Sequence, residues 1–391
     1  MGHTTCKIYH LSFYKVILLR KVFIIVRIIY SKLFAFCHSD VVQIDFRRGR
    51  ERADLRDQAG FASIVFNNTS GIYDPDNTSG SSPWVVGGAS ILRDGLQMRI
   101  VATWASTAYP LFYGFLENNF TNQGFLPNVT MTFYDGIGYI ADGFAPALAT
   151  AAYSETAATR AGRMLDYAGW PSGAARSLTG SVTMLATTQN RGCMQAVTEC
   201  VDSIAGRFYI SKSNVATLIP LSNKFSRPTQ LLFSDSGATN TVRYLDLITN
   251  PGTKYVVNQA IIMRGDNNQV TSTYNPSVSA YGVAKKEIFA PVNTDTNATN
   301  LALYESRKLA LPDTYVERID FNVLSLANLG LLYPDFLSTE LADQVSVART
   351  TYDGRALQWN LVVEGMKHLI TQNNWTVSFN TSDINPYSIT I

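Results

Sequence analysis

The stretch IDFRRGRERADLRDQAGFASIVFNNTSGIYDP, residues 44–75, places two strand-like runs around one basic turn. In the second run, from Phe61 to Phe66, successive side chains alternate between the two faces that a half-buried strand presents. The turn between the runs contains Arg48-Gly49-Arg50. The pattern predicts neighbouring β-strands at the start of the folded chain.

The quoted stretch continues into FNNTSGIYDPDNTSGSSPW, residues 66–84, which has almost no charge and no helical period. A disordered linker, a glycosylated loop and a fixed corner between strands could all have this composition. Strand-like runs flank the segment, and Asp74-Pro75 and Asn77 can set turns through side chain-to-backbone hydrogen bonds. We therefore interpret it as a shaped corner.

The composition is that of a folded chain rich in strands. Of 391 residues, 46% are apolar and 16% charged, which excludes a disordered polyampholyte. Twenty Tyr and twenty Phe, with many Gly, Asn and Thr, favour strands and turns. A net charge of +2 argues against nucleic-acid binding by electrostatics, and four cysteines do not form a disulfide framework.

The order of patterns predicts a mainly β fold with an α+β insert. Strand-like runs predict an antiparallel barrel or sandwich for residues 41–147. An Ala-rich stretch then predicts an α+β domain at 148–220. Strands return in 221–391, which predicts a second β-rich domain with one exposed helix in ATNLALYESRKLAL, residues 298–311.

The α+β domain is expected to contain two helices followed by a hairpin. The first runs from about Glu155 to Tyr167 and is stopped by Gly169-Trp170-Pro171. The second has an apolar stripe with helical spacing. That stripe consists of Cys193, Val197, Cys200 and Ile204.

Residues 1–40 differ from the rest of the chain. Met1–Ser39 contains six Lys or Arg and no acid. The cations interrupt the apolar run, which disfavours a membrane span, a clean interfacial helix and a signal peptide. Three readings remain: an extension from a misplaced start codon, a membrane-associated arm, and a buried or partner-bound segment. We expect the segment to pack poorly against the fold, as one isolated helix.

No constellation of residues predicts catalysis, cofactor binding or metal binding. His368 is the one histidine outside the first forty residues, and its strand-like setting favours a structural role over that of a base. Cys193 and Cys200 have a spacing that suits packing and not zinc. Asp74 and Asp76 fit a turn better than a glycosidase or calcium site. We interpret the Arg-Gly-Asp sequence at 264–266 as a turn at the end of a strand.

Several motifs, in order, resemble the minor tail proteins of long-tailed bacteriophages, including hub-like and distal-tail proteins. They span residues 41–382. The segments that carry the resemblance are Arg48-Gly49-Arg50, Gly71-Ile72-Tyr73-Asp74-Pro75, Arg99-Ile100, Leu111-Phe112-Tyr113-Gly114, RAGRMLDYAGWP (160–171), AVTECVDSIAGRFYIS (196–211), VNQAIIMRGDN (257–267), SAYG (279–282) and VEGMKHLITQNNW (363–375).

Two departures from that family are visible. Members usually have an extra strand pair before the Arg-Gly-Arg turn, where this chain has its basic, acid-free stretch. Family members commonly have an acidic residue shortly before a glycine. The corresponding segment of this chain, Ser203-Ile204-Ala205-Gly206, has no acidic residue. The first departure is consistent with a misplaced start or a diverged N-terminus.

The resemblance implies two small tail-tube-like β-barrel domains and an α+β unit in a structural virion protein of the tail tip. Expected partners are the tail tube, the distal tail protein, the tape measure protein and receptor-binding proteins. A homotrimeric ring is also implied. The alternative is a receptor- or carbohydrate-binding tail protein that uses exposed Trp and Tyr. A third class, a tail-associated glycan hydrolase, is disfavoured because the sequence offers no convincing acid–base pair.

Overall fold

The chain folds around strands that alternate between buried and exposed side chains. The computed structural model describes residues 17–19, 22–30, 33–36, 40–52, 55–79, 82, 84–86, 88–122, 127–145, 155–186, 191–236, 240–251, 255–311, 314–325 and 329–384. Strands are the most frequent element among these residues, most strand pairs are antiparallel, and helices occupy the middle of the chain. The predicted mainly β fold with an α+β part is therefore confirmed.

The first third of the chain is antiparallel sheet. Its long strands bury alternate side chains, as the sequence pattern predicts; in β5, for example, Ala62, Ile64 and Phe66 face the core. The strands are β1 (Ile17–Leu19), β2 (Val22–Tyr30), β3 (Leu33–Phe36), β4 (Val41–Gly49), β5 (Gln58–Asn67), β6 (Val85–Val86), β7 (Ala89–Ser90), β8 (Gln97–Trp104), β9 (Thr107–Asn122) and β10 (Asn128–Tyr134).

An α+β segment follows. Both predicted helices form, and the second predicted stripe is buried along its length. The predicted hairpin after the helices also forms. The elements are α1 (Gly136–Ala141), β11 (Phe144–Ala145), α2 (Ala157–Tyr167), β12 (Arg176–Leu178), β13 (Arg191–Gly192), α3 (Cys193–Ser203), β14 (Arg207–Ile210) and β15 (Ala216–Ile219).

The last part of the chain returns to strands, with four further α-helices. The elements are α4 (Leu221–Phe225), β16 (Thr229–Ser234), β17 (Asp246–Asn250), β18 (Gln259–Met263), β19 (Gln269–Thr273), α5 (Asn275–Tyr281), β20 (Lys285–Phe289), α6 (Asp295–Glu305), β21 (Tyr315–Asn322), α7 (Leu329–Ser338), β22 (Gln344–Thr350), β23 (Ala356–Thr371) and β24 (Asn374–Asp383).

One 14-stranded sheet connects the N-terminal and C-terminal strands. Its main path is β1-β2-β8-β9-β10-β5-β4-β23-β24-β21-β17, and β22 and β16 extend it from β23. The junction is the antiparallel pair β4–β23, in register from Gln43 opposite Thr371 to Gly49 opposite Gly365. The two predicted β regions are thus joined through their backbones.

A single large hydrophobic core lies under this sheet. It contains side chains from both halves of the sheet and from α7, whose Tyr333 packs on Trp104 at 4.6 Å between ring centroids. At the C-terminal end of the same helix, Phe336 packs edge-on against Phe321 and Trp375. Helix α7 therefore contacts both halves of the sheet and fixes their relative position.

A second core belongs to the α+β segment, and it takes residues from a later part of the chain. Ile262 of β18 and Leu301 of α6 are buried among the side chains of α2 and α3. Residues 259–305 were assigned from the sequence to the 221–391 domain, but here they complete the core of the α+β segment. Helix α6 was also expected to be exposed, which is wrong: Ala298, Leu301 and Ala302 are buried.

The polar stretch after β5 is an ordered corner, as the sequence predicts. The Asn68 side chain accepts a hydrogen bond from Tyr73 N at 2.9 Å, and Asp74 accepts one from Asp76 N at 3.0 Å. The Asn77 amide donates to Gly71 O at 2.9 Å. The Tyr73 ring is buried against Phe66 at 4.8 Å. Local side chain-to-backbone bonds and one aromatic anchor thus shape the corner.

The expectation for residues 1–40 is wrong where the structure describes them. Strand β2 pairs with β8 from Phe23 opposite Thr103 to Ile29 opposite Gln97, and Ile24 and Val26 are buried in the large core. An apolar run with scattered cations does not distinguish a buried strand from a helix by periodicity. The remainder of this segment lies outside the described residues.

This packing predicts that β2 stabilises the fold. Ile24→Ala should lower the free energy of unfolding by about 2–5 kcal/mol, because it removes buried methyl groups and leaves a cavity. Val42→Ala, at an exposed position on β4, is the matched control and should change it by about 0.5 kcal/mol or less. Urea unfolding followed by fluorescence measures both. Equal small effects would mean that β2 does not pack into the core.

Candidate functional site

A cleft of about 420 Å³ opens where the sheet meets the α+β segment. Its walls come from the residues after β4, from α3 and β14, from β20, and from the end of α6. Charged side chains line it beside apolar ones. Its lining includes Arg56, Asp202, Lys286, Glu287, Ile288 and Phe289.

Arg50, the last residue of the Arg-Gly-Arg turn, lies with Glu364 on the sheet side of this cleft. Gly49 has φ +85°, a left-handed conformation, and a Cβ placed there would lie 2.4 Å from the carbonyl oxygen of Glu364. At Gly365, directly opposite, a Cβ would lie 2.4 Å from the carbonyl oxygen of Arg50. Only glycine permits this approach of two backbones.

Glu364 lies at the centre of the charges around the turn. Its side chain is fully buried, and one carboxylate oxygen accepts from Arg50 Nε at 2.8 Å. Arg207 approaches the same oxygen at 3.4 Å, and the Ser382 hydroxyl donates to the other. Arg50, Arg207 and Ser382 together satisfy a carboxylate that would otherwise be costly to bury.

Arg207 connects the α+β segment to the sheet. Its guanidinium binds Asp57 through two nitrogens, at 2.9 and 2.6 Å, and donates to the carbonyl of Val363 at 3.0 Å. Burial lowers the pKa of Arg207, but the carboxylates of Asp57 and Glu364 outweigh burial and raise it. The guanidinium therefore stays charged in the interior.

A second ionic group lies on the other side of the turn. Glu340 accepts from Arg48 Nη2 at 2.7 Å and from the backbone N–H of Lys212 at 2.9 Å. The Lys212 ammonium donates to carbonyls at the C-terminal end of α7, including those of Leu337 and Ser338 at 2.7 Å. The tip of the β14–β15 hairpin is thereby fixed to α7.

The outer rim of the cleft is also charged. Glu305 accepts from Lys286 and Lys308, each at 2.8 Å. Burial raises the pKa of Glu305, but the two lysines outweigh it and lower it to about 2. Arg56, largely exposed, pairs with Asp202 at 3.1 Å across the opening.

The paired charges of the cleft can hold elements together, but they do not form an acid–base pair. Asp135, whose pKa burial raises to about 7, lies outside the cleft. Its carboxylate caps α1 by accepting from Ile137 N at 2.9 Å. It also packs against Gly60, where a Cβ would lie 2.5 Å from it. The geometry assigns this carboxyl a capping role.

His368 occupies a buried position in the large core. Its ring stacks on Phe46 with centroids 4.4 Å apart, and Nδ1 accepts from Trp375 Nε1 at 3.3 Å. Burial, with the nearby charges of Arg48 and Lys212, lowers the pKa of His368 to about 3. The ring is neutral and structural, as the sequence indicates.

The other candidate residues are also accounted for by structure. Cys193 and Cys200 are buried on α3, and burial raises the pKa of the Cys200 thiol to about 12. Arg264, the first residue of the Arg-Gly-Asp sequence, is buried and donates to the carbonyls of Val292 and Asn293, each at 3.1 Å. It is not available to a receptor.

Two further findings concern the described residues as a set. Within the described ranges, no three His, Cys, Asp or Glu side chains are grouped so that they could hold a metal ion. Among the same residues, no helix has the length and apolar content required to span a membrane.

Sequence reasoning singled out the Arg-Gly-Arg turn but missed the acids that meet it. The partners of Arg48 and Arg50 are separated from them by 292 and 314 residues. Arg207 and Asp57 are 150 residues apart. The weak signal available was the glycine of VEGMK, which is next to Glu364 and permits the close strand pair.

The ionic group predicts a large cost for removing one partner. Arg207→Met should lower the free energy of unfolding by about 3–5 kcal/mol, because Asp57 and part of Glu364 lose their buried counter-charge. Lys285→Met, which breaks an exposed pair with Glu287, is the control and should cost about 1 kcal/mol or less. Chemical denaturation measures both. Similar losses for the two variants would contradict a structural role for Arg207.

The His368 environment predicts acid sensitivity. Its folded pKa, about 3, lies below the ordinary histidine pKa of 6.5, so its contribution to stability is complete above pH 6.5 and is lost as the pH falls toward 3. The free energy of unfolding lost in this way between pH 7 and pH 5 is about 2 kcal/mol. His368→Gln should unfold with a flatter pH dependence than the parent. Urea midpoints at the two pH values test this, and parallel profiles would disprove it.

Comparison with known proteins identifies the fold. Neither a protein-family model nor a curated protein sequence matches the chain. The tail protein from Neisseria meningitidis MC58 superposes with a TM-score of 0.62 at 10% identity, over 93% of this chain and 96% of that one. The 43 kDa tail protein of prophage MuSo2 from Shewanella oneidensis gives 0.59 at 8% identity, over 92% and 98%.

A third structure agrees with these two. The prophage tail protein gp18 from Listeria monocytogenes EGD-e superposes with a TM-score of 0.51 at 10% identity, over 94% of this chain and 96% of that one. The match extends over nine-tenths or more of each chain, so it includes the sheet and the α+β segment together. The resemblance inferred from the motifs is confirmed at the level of structure: the chain has the fold of phage tail proteins.

Proposed function

We propose that the chain is a structural protein of a phage tail tip, a hub or distal-tail ring component that links the tail tube to host-recognition proteins. The observation that carries this proposal is the likeness to tail proteins over nearly the whole chain, and not over one domain. Its partners would be the tail tube, the distal tail protein, the tape measure protein and receptor-binding proteins.

A non-enzymatic role agrees with the chemistry of the described residues. The charged groups of the cleft are paired, His368 is neutral and buried, and the described cysteines are buried. These side chains hold elements in place. A protein that acts by packing and by strand pairing requires nothing further from them.

The sheet also offers surfaces for assembly. Its path ends in β17 on one side and in β1 and β3 on the other, and within the described residues each of these strands is paired along one edge. Open strand edges favour pairing with another chain. Contacts between unlike surfaces of identical chains close into a ring when the rotation permits. We infer a ring of identical copies, in the form of a homotrimer.

The alternative, a receptor- or carbohydrate-binding tail protein, has less support. Such a site would present tryptophan rings in an open groove. Of the five tryptophans, Trp84, Trp170 and Trp375 are buried, and Trp104 and Trp359 are half-buried. Several other aromatic side chains are exposed, but none of them lines the cleft: Tyr139, Phe144, Tyr167, Tyr281 and Tyr352.

The location of the protein tests this proposal. Electron microscopy of intact particles, with a tag on the chain, should place it as a ring at the tip of the tail. A position on an outer fibre, with an aromatic surface open to solvent, would favour the receptor-binding alternative. Absence of the chain from purified virions would disprove both.

The assembly state has its own test. Mass photometry of the purified chain with its tail partners should show a closed species of three copies. Thr249→Pro, on the edge strand β17, should reduce it because proline cannot donate a hydrogen bond to an incoming strand. Thr249→Ala, which keeps the backbone N–H, is the control and should leave it unchanged. A chain that remains monomeric under all of these conditions would contradict the ring.

A further inference from the structure

The β22–β23 hairpin extends beyond the body of the protein. At its base the residues of both strands are buried, but from Ala348 to Ala356 the side chains of the strands and turn are exposed or nearly so. The last cross-strand neighbour from β16 is Ser234, opposite Ala348. Tyr352, at the end, is fully exposed.

The tip turn, Thr351–Arg355, is rigid in spite of its exposure. Thr351 N donates to Arg355 O and Gly354 N donates to Thr351 O, each at 2.9 Å. Arg355 Nε donates to the Asp353 carboxylate at 2.7 Å, and Gly354 has φ +82° as the turn requires. A rigid turn that presents an exposed tyrosine loses little entropy on binding.

The cleft described above lies at the opposite end of the same hairpin. Ala342 and Val362, at the base of β22 and β23, line it. Strand β22 alone is about 20 Å long, and the two antiparallel strands of the hairpin separate the cleft from the tip by this distance. The tip turn therefore cannot reach the cleft of its own chain, but it can reach that of another copy.

The cleft and the tip turn are complementary in size and in charge. The cleft volume, 420 Å³, lies in the range of sites that bury a compact ligand. Its wall includes Ile288 and Phe289, against which an aromatic ring can pack. The rim carries the Arg56–Asp202 ion pair and the tip turn carries the Asp353–Arg355 ion pair, and two such pairs can align with opposite charges facing each other.

We propose that the tip turn of one copy inserts Tyr352 into the cleft of the next copy. Asp353 then faces Arg56 and Arg355 faces Asp202, while the ion pair within each surface is kept. Because the tip and the cleft are different surfaces, the contact is head-to-tail, as a closed ring of identical copies requires. This contact rests on the proposed ring assembly, and it adds the residues that make it.

Photo-cross-linking tests the contact directly. The chain with benzoylphenylalanine in place of Tyr352 is mixed with an equal amount of ¹⁵N-labelled parent chain and irradiated, and the peptides are identified by mass spectrometry. Light peptides containing position 352 should be joined to heavy peptides from 55–57, 198–208 or 286–289. Benzoylphenylalanine at Tyr281, another exposed tyrosine, is the control and should not label these segments.

A substitution tests the same contact by its energy. Tyr352→Ser should weaken self-association about tenfold or more, as expected for an interface anchor, and should leave the unfolding midpoint unchanged because the ring is fully exposed. Tyr281→Ser should leave self-association unchanged. Mass photometry and chemical denaturation measure the two properties separately.

The outcomes separate this contact from the assembly itself. A ring that forms while position 352 labels another surface, or a different tail protein added to the mixture, overturns the contact and leaves the ring intact. A chain that stays monomeric and gives no cross-link between copies overturns the contact, and electron microscopy of virions then decides the proposed location independently.

Discussion

The close approach of β4 and β23 is the constraint on which the rest of the structure depends. Gly49 and Gly365 face each other across this pair, and each occupies a position where a Cβ would collide with the opposite backbone. The strand pair joins the N-terminal and C-terminal halves of the sheet. The same approach brings Arg48 and Arg50 to the acids of the second half.

The buried charges result from this strand pair, and they connect the α+β segment to the sheet. Arg50 and Arg207 meet on Glu364, so one carboxylate links the sheet to β14. Arg48 and Lys212 share Glu340, which fixes the β14–β15 hairpin to α7. Such groups stabilise little compared with an apolar core, but they accept few alternative arrangements. The hydrophobic cores provide the stability, and the ionic groups select one arrangement of the elements.

The features that sequence predicted are those encoded locally. The alternation in β5, the stripe of α3 and the turn at Asp74 each depend on residues within one short segment, and each was correct. The features it missed depend on distant partners. Strand β2 has no alternation to mark its buried face, and α6 is buried because residues 259–305 return to complete the core of the α+β segment.

The same distinction explains how this chain shares the fold of tail proteins to which it is only 8–10% identical. A strand needs alternate apolar side chains of suitable size, and many sequences provide them. A position such as Gly49 accepts one residue, because its φ and the facing carbonyl exclude a side chain. Identity averaged over the chain can therefore be low while the fold is kept. Short motifs such as Arg48-Gly49-Arg50, and not overall similarity, made the fold recognisable from the sequence.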